Sequence, residues 1–202
     1  MTQRRRPVSH DTILDQARQI VARDGLGALA LRPLAARLGV TAPALYAHFE
    51  SKEALLEALA VDEFTRLIAE IEAAGRGIDD PIALIKAQSY AYVDYAQANP
   101  SLFEVIFLFR PAWAPDSPAT ELPIASKAFE MSAKAVSDAI EAGLITERDP
   151  LVASLTIWSA VHGVATLLLA RPSFAASFEA ELVTSVIDSI VAGLQRATGT
   201  PH

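Results

Sequence analysis

Between residues 30 and 56 the chain reads ALRPLAARLGVTAPALYAHFESKEALL, and several of its side chains suit one kind of chemistry. Thr41, Tyr46 and His48 can donate hydrogen bonds from a hydroxyl or a ring N–H. Lys52 adds a compact positive charge. Thr41 stands where a helix cap belongs, so the free N–H groups that follow it attract an anion. Lys52 falls in the first turn of the next helix, where its charge reinforces the positive end of the helix dipole. These are phosphate-binding devices, and phosphate contacts fix how a protein sits on a duplex. Arg32 is of another kind: a planar guanidinium matches the O6/N7 edge of guanine, so it is assigned to base reading, with a phosphate contact as the rival role. Arg4, Arg5 and Arg6 precede the first helix and suit an arm that follows the backbone or enters the minor groove, or a tail that adds only nonspecific attraction. Duller readings stand beside these. Phe49 reads as a core aromatic, Tyr46 could join it, and His48 could be a plain surface residue.

Such residues work only if helices hold them. Pro33 opens a helix of about 32–38, where its missing N–H costs nothing, and Gly39 ends it. The turn Gly39-Val40-Thr41 is short enough to hold a third helix at a steep angle to the second. Ala35 is the small residue at the crossing, and Leu34, Leu38, Val40 and Leu45 lock both helices to a core. The third helix is thereby placed to enter a major groove, its N-terminal end, with Ala42, Pro43 and Ala44, presented towards it. That surface is bare, offering thymine methyls only apolar contact, so sequence preference would lean on DNA shape. Ser9 caps a first helix that runs to Asp24-Gly25 with Ile13, Ala17, Ile20 and Val21 on one face.

Nine helical pieces account for the chain. The fourth spans Ser51 to about Ala74. Asp80-Pro81, Asn99-Pro100 and Asp149-Pro150 each pair a cap residue with proline and start helices of about 81–97, 100–109 and 150–170. Helices of about 119–142 and 174–196 complete the set, and RPAWAPDSP at 110–118 is a loop. No run alternates with period two for long enough to be a strand, so the fold class is all-α.

The 202 residues carry a formal charge of −7, unevenly placed. Residues 1–52 hold eight Arg or Lys against four acids, a net +4; the remainder holds nine against twenty, a net −11. A basic portion can meet a polyanion while the acidic body is held away, because the Debye length is only about 8–10 Å at ordinary salt. Without cysteine there is no disulfide, thiolate catalysis or cysteine-ligated zinc, and a cytoplasmic location fits. Gly-rich phosphate loops and nucleophile elbows are missing, and His10, His48, His162 and His202 do not cluster at ligand spacing. No enzyme, cofactor or metal site is therefore expected. Residues 150–170 contain no charge and are long enough to cross a bilayer; their Ser, Thr and His content reads instead as a buried helix, with no membrane partner.

The run Gly39-Val40-Thr41-x-x-x-Leu45-Tyr46-x-His48-Phe49-x-Ser51-Lys52-Glu53-x-Leu55, with Ile13-Leu14-x-x-Ala17 upstream, resembles the signature of tetracycline-repressor-type (TetR family) regulators. Trp158-x-x-x-His162-Gly163 resembles a subgroup with a Trp-His-Gly ligand domain. The resemblance implies a helix-turn-helix DNA-binding domain at 1–53 and a ligand-binding and dimerisation domain at 54–202. It implies a homodimer joined through the last two long helices, a double-stranded DNA operator, and a small-molecule effector that releases a repressor. Thr41, Tyr46, His48 and Lys52 become phosphate contacts, and Arg32, Ala42, Pro43 and Ala44 base-facing positions. Family members often carry Thr or Ser where this chain has Ala30, so one cap oxygen is missing. The aromatics are mostly packing, but some must line a pocket; the candidates are Phe64, Tyr90, Phe103, Phe107, Trp113, Met131, Trp158 and His162. His162 reads first as a satisfied core residue and second as a ligand donor. The alternative function is a helical small-molecule binding protein or enzyme whose helix-turn-helix is incidental or non-functional.

Overall fold

Gly39 adopts φ 68° and ψ 26°, the left-handed conformation that glycine reaches without strain, and the chain reverses there between two helices. In the computed structural model, residues 8–107, 123–147, 149–170 and 178–195 are described. Arg4, Arg5, Arg6, Trp113 and the loop read at 110–118 lie outside them, as do the expected helix starts at 119 and 174.

Among the described residues all regular structure is helical. The order is α1 (His10–Asp24), a 3-10 turn (Leu26–Ala28), α2 (Leu31–Leu38), α3 (Ala42–Tyr46), α4 (Lys52–Ala74), α5 (Pro81–Ala98), α6 (Pro100–Phe107), α7 (Pro123–Glu141), α8 (Pro150–Ala170) and α9 (Glu179–Gln195). The cap-plus-proline starts fall where the sequence puts them. Asp80 Oδ1 accepts the Ala83 N–H at 2.7 Å, and Asp149 Oδ1 accepts that of Leu151 at 2.9 Å.

The chain divides into two compact units. The first holds residues up to Glu63 together with α6; the second holds the rest of α4 from Phe64, then α5, α7, α8 and α9. Residues 54–63 and α6, which the sequence places in the larger domain, therefore group with the first unit. Leu102, Phe103, Val105 and Ile106 give α6 a buried apolar side, and it packs on α1 and the 3-10 turn. Side-chain periodicity shows that such a side exists but not which helix covers it.

In the first unit α1 buries Ile13, Leu14, Ala17, Ile20 and Val21, and the Ser9 hydroxyl accepts the Thr12 N–H at 3.2 Å. In the second, α5 packs on α7, α8 and α9, and α8 packs on α7 and α9. The end of α9 is tied down by Thr146, whose N–H and hydroxyl both donate to the Leu194 carbonyl, at 2.9 and 3.0 Å. Gly75 closes α4 where a Cβ would stand 2.6 Å from Leu84 Cδ1, so a side chain there would make the end of the Leu84 side chain shift. α8 is long and apolar enough to cross a membrane by length and composition. It is buried on one side only: Ala153, Ile157, Val161, Val164, Ala165 and Leu168 face the unit, whereas Leu151, Val152, Leu155, Trp158 and Leu167 are exposed. Composition sets how apolar a helix is, not how many of its sides a single chain can cover.

Arg18 sits in a partly buried ionic network. Its Nε donates to Glu63 at 2.5 Å, one terminal nitrogen to Asp15 at 2.6 Å, and the other to Asp62. Glu63 is 1% exposed. Burial alone would lower the Arg18 pKa, but hydrogen bonds to Glu63 and Asp15 and the charges of Asp62 and Glu63 raise it, so the guanidinium stays charged. The network fastens α1 to α4 inside the first unit. Breaking a buried pair leaves one charge stranded in low dielectric. Arg18→Met is expected to cost about 3–5 kcal/mol in urea unfolding. Adding Glu63→Leu is expected to recover most of that loss.

Candidate nucleic-acid interface

The donors singled out in the sequence lie around α3 and the start of α4. Thr41 is the N-cap of α3, its side chain accepting the Ala44 N–H at 3.4 Å. Its hydroxyl hydrogen remains able to donate. Leu45 is fully buried at the centre of α3, while Pro43, Ala44, Tyr46 and Ala47 are exposed and Ala42 half-buried. Tyr46 is 44% exposed, so the core reading does not describe it; Phe49, at 4%, is in the core and meets the His10 ring at a centroid distance of 4.6 Å. His48 is exposed just past α3. Lys52 is the first residue of α4, whose cap is Ser51 accepting the Ala54 N–H at 3.1 Å. The Glu53 carboxyl is held below its ordinary pKa by a backbone N–H and the Ser51 hydroxyl, so it stays ionised beside Lys52.

Arg32 is exposed near the start of α2, and neither it nor Lys52 takes part in a salt bridge among the described residues. Arg23, by contrast, is tied to Asp24 at 2.5 Å. Ala30 caps α2 with no side-chain hydrogen bond, as its lack of an oxygen requires. With Pro43 lacking an N–H and that of Ala44 taken by Thr41, the donors here are side chains, and a hydroxyl, a phenol, an imidazole and an ammonium around α3 and the start of α4 are of the kinds that hold backbone phosphates.

The pocket candidates fall in both units. Phe103 is buried in the first unit. Phe64 is buried in the second, and Met131 is half-buried on α7. Tyr90 lines a cavity of about 550 Å³ between α5 and the start of α9, with Asp94, Gln97, Phe178, Glu179 and Thr184. The Phe107 side chain and Trp113 lie outside the described residues. Among the described residues, no group of three or more His, Asp or Glu side chains is placed to hold a metal ion.

Trp158 and His162 do meet, through a residue the sequence treats as packing. Their rings stack at a centroid distance of 5.1 Å and 14° between planes. Tyr92 of α5 hydrogen-bonds His162 Nδ1 at 2.8 Å. Burial pushes the Tyr92 pKa up and the His162 pKa down from 6.5, both favouring the uncharged forms.

A histidine whose folded pKa is lowered binds fewer protons folded than unfolded. Its contribution is full above about 6.5 and is lost as pH falls through the folded pKa. The melting temperature of His162→Gln is therefore expected to fall less than that of the wild type between pH 7.5 and 5. Tyr92→Phe is expected to cost about 1 kcal/mol at pH 7.5, by leaving His162 Nδ1 without its partner.

Comparison with known proteins agrees with this geometry. Residues 13–59 match the family model of bacterial regulatory proteins of the tetR family, and residues 85–190, more than half of the chain, match that of the tetracyclin repressor-like C-terminal domain. An uncharacterized HTH-type transcriptional regulator of Mycobacterium tuberculosis, Rv0681, is 26% identical over 195 residues, which are 95% of this chain and 84% of that protein. A protein of unknown function from Rhodococcus sp. RHA1 superposes with a TM-score of 0.82 at 28% identity, covering 97% of this chain and all of that one. A single-substitution variant of TetR from Acinetobacter baumannii AYE, solved with minocycline, shares the fold at a TM-score of 0.66 and 20% identity, over 94% of this chain and 99% of that one. With the helix-turn-helix formed and both halves matched, the chain belongs to the TetR family and is a DNA-binding transcriptional regulator, not an enzyme.

Proposed function

We propose that the chain is a ligand-responsive repressor acting as a cytoplasmic homodimer, released from its operator by a small and rather apolar molecule. The observation that carries the DNA half is the set of donors there: exposed Arg32 and half-buried Lys52, without salt bridges among the described residues, and exposed Thr41, Tyr46 and His48 around α3. Thr41, Tyr46, His48 and Lys52 are the phosphate contacts in this reading. Arg32 reads a base edge, while Ala42, Pro43 and Ala44 pass close to bases without hydrogen-bonding them. The helix-turn-helix domain is taken as residues 1–53 and the effector and dimer domain as 54–202.

The dimer half rests on α8. Leu151, Val152, Leu155 and Trp158 leave an apolar strip uncovered beside α9, and a second copy applying the same strip would bury both. Two subunits related in this way present two copies of α3 to successive major grooves, about 34–36 Å apart. An effector works only by preferring one dimer geometry; moving a population from 1:99 to 99:1 takes about 5.5 kcal/mol of preference. That a protein of the same fold was solved with minocycline supports a small-molecule effector here. The Trp158-His162-Gly163 motif is taken as part of the effector domain's frame, because His162 already has a partner in Tyr92.

Two substitutions separate the contact types. Lys52→Ala is expected to weaken binding to every DNA sequence alike and to reduce the slope of log K against log salt by about one, in fluorescence anisotropy titrations. Arg32→Ala is expected to cost about 1–3 kcal/mol at one base position and to relax preference there. Equal weakening at all sequences would make Arg32 a phosphate contact instead.

A further inference from the structure

The crevice between α5 and α9 of the second unit changes character along its length. On α5, Lys86, Tyr90 and Asp94 follow at four-residue spacing, so they share one side of the helix. Lys86 Nζ reaches across to Asp188 of α9 at 2.7 Å and joins the two helices there. Two turns further along α5, the helices leave a cavity of about 550 Å³ instead. Asp94 lines it from α5, and Glu179 and Glu181 line it from the first turn of α9. Among the described residues, no lysine or arginine lines it, and none of the three carboxylates takes part in a salt bridge. Where the chain supplies a cation the crevice is bridged; where it supplies three anions and no cation the crevice is open.

Helix chemistry accounts for part of this. An acid in the first turn is favoured by the helix dipole, which covers Glu179 and Glu181. Asp94 has no such reason. It stands one turn before the C-terminal end of α5, where the dipole disfavours an anion, and it brings a third carboxylate to the same cavity. A cleft lined by one sign of charge concentrates ions of the opposite sign. Its walls also carry rings, Tyr90 on the same side of α5 as Asp94 and Phe178 just ahead of α9. An aromatic face attracts a cation and packs against apolar surface. The volume lies in the range that holds a small organic molecule.

We infer that this cavity binds a small organic cation, an ammonium head on an aromatic or otherwise apolar body. The head stands among Asp94, Glu179 and Glu181, supplying there the charge that Lys86 supplies to Asp188, and the body lies against Tyr90 and Phe178. The inference rests on the reading of the second unit as the effector domain. It adds the site and the charge of the effector.

The test is titration calorimetry of the full-length protein with 1-naphthylmethylamine as the cationic probe, 1-naphthalenemethanol as its neutral analogue and 1-naphthoate as the anion. The ammonium is expected to bind about tenfold more tightly than the alcohol, and the carboxylate not measurably. Asp94→Asn is expected to weaken the ammonium about fivefold while leaving the alcohol's affinity and the melting temperature unchanged. Glu141→Gln removes an equal charge outside the cavity and is expected to change no affinity. Binding of none of the probes, or equal affinity for all three, would overturn the inference. So would a loss in Glu141→Gln as large as in Asp94→Asn, which would show only the general pull of a chain with a formal charge of −7. A melting temperature lowered by several degrees in Asp94→Asn would overturn it too, by making Asp94 a structural partner. A wild-type chain that fails these tests but binds DNA with salt dependence loses only this inference. One that does not bind DNA loses the reading beneath it.

Discussion

Whatever the first unit presents to DNA depends on how α3 crosses α2. That crossing depends on one backbone conformation, the positive φ of Gly39, and on three side chains that leave no room for another arrangement. Leu34 and Leu45 are fully buried and Ala35 is 2% exposed, so the two helices meet across a small residue with leucines on either side. The turn is closed by the Gly39 and Val40 N–H groups donating to carbonyls of α2, Val40 to Ala35 at 3.0 Å. A residue with a Cβ at position 39 would strain that turn and tilt α3. Thr41, Tyr46 and the bare helix surface would all turn with it. The short length of α3, five residues, makes this dependence stronger, since so brief a helix has little packing of its own.

The second unit is built on a different principle. Its buried polar side chains are neutral, and Ser89 and Ser154 donate to carbonyls of their own helices. Tyr92 meets His162 Nδ1, and His162 stacks on Trp158, so these three rings set the approach of α5 to α8. Networks of this kind specify geometry because each member fails if another moves. The outer side of α8 is the reverse: apolar and uncovered. The same helix thus holds the unit together on one side and is left with an unmet hydrophobic demand on the other.

Local signals were legible in the sequence and long-range ones were not. Helices after Asp80, Asn99 and Asp149 begin where a cap residue meets proline, because both effects act within one turn. Gly39 and Thr41 were readable for the same reason. The Arg18–Glu63 pair lies 45 positions apart and Tyr92–His162 lies 70 apart, and nothing in either segment names the other. The candidate pocket aromatics were chosen by residue type, which does not say that Phe103 is buried in the first unit and Tyr90 half-exposed in the second.

Selection of bound fragments from a random DNA pool tests the central claim most directly, since it needs α3, the donor face and the two-fold pairing all at once. The account calls for an inverted repeat whose half-site centres lie about 10–10.5 base pairs apart, or a whole multiple of that. Recovery of no enriched sequence in dilute salt, or of a single half-site without its repeat, would contradict it.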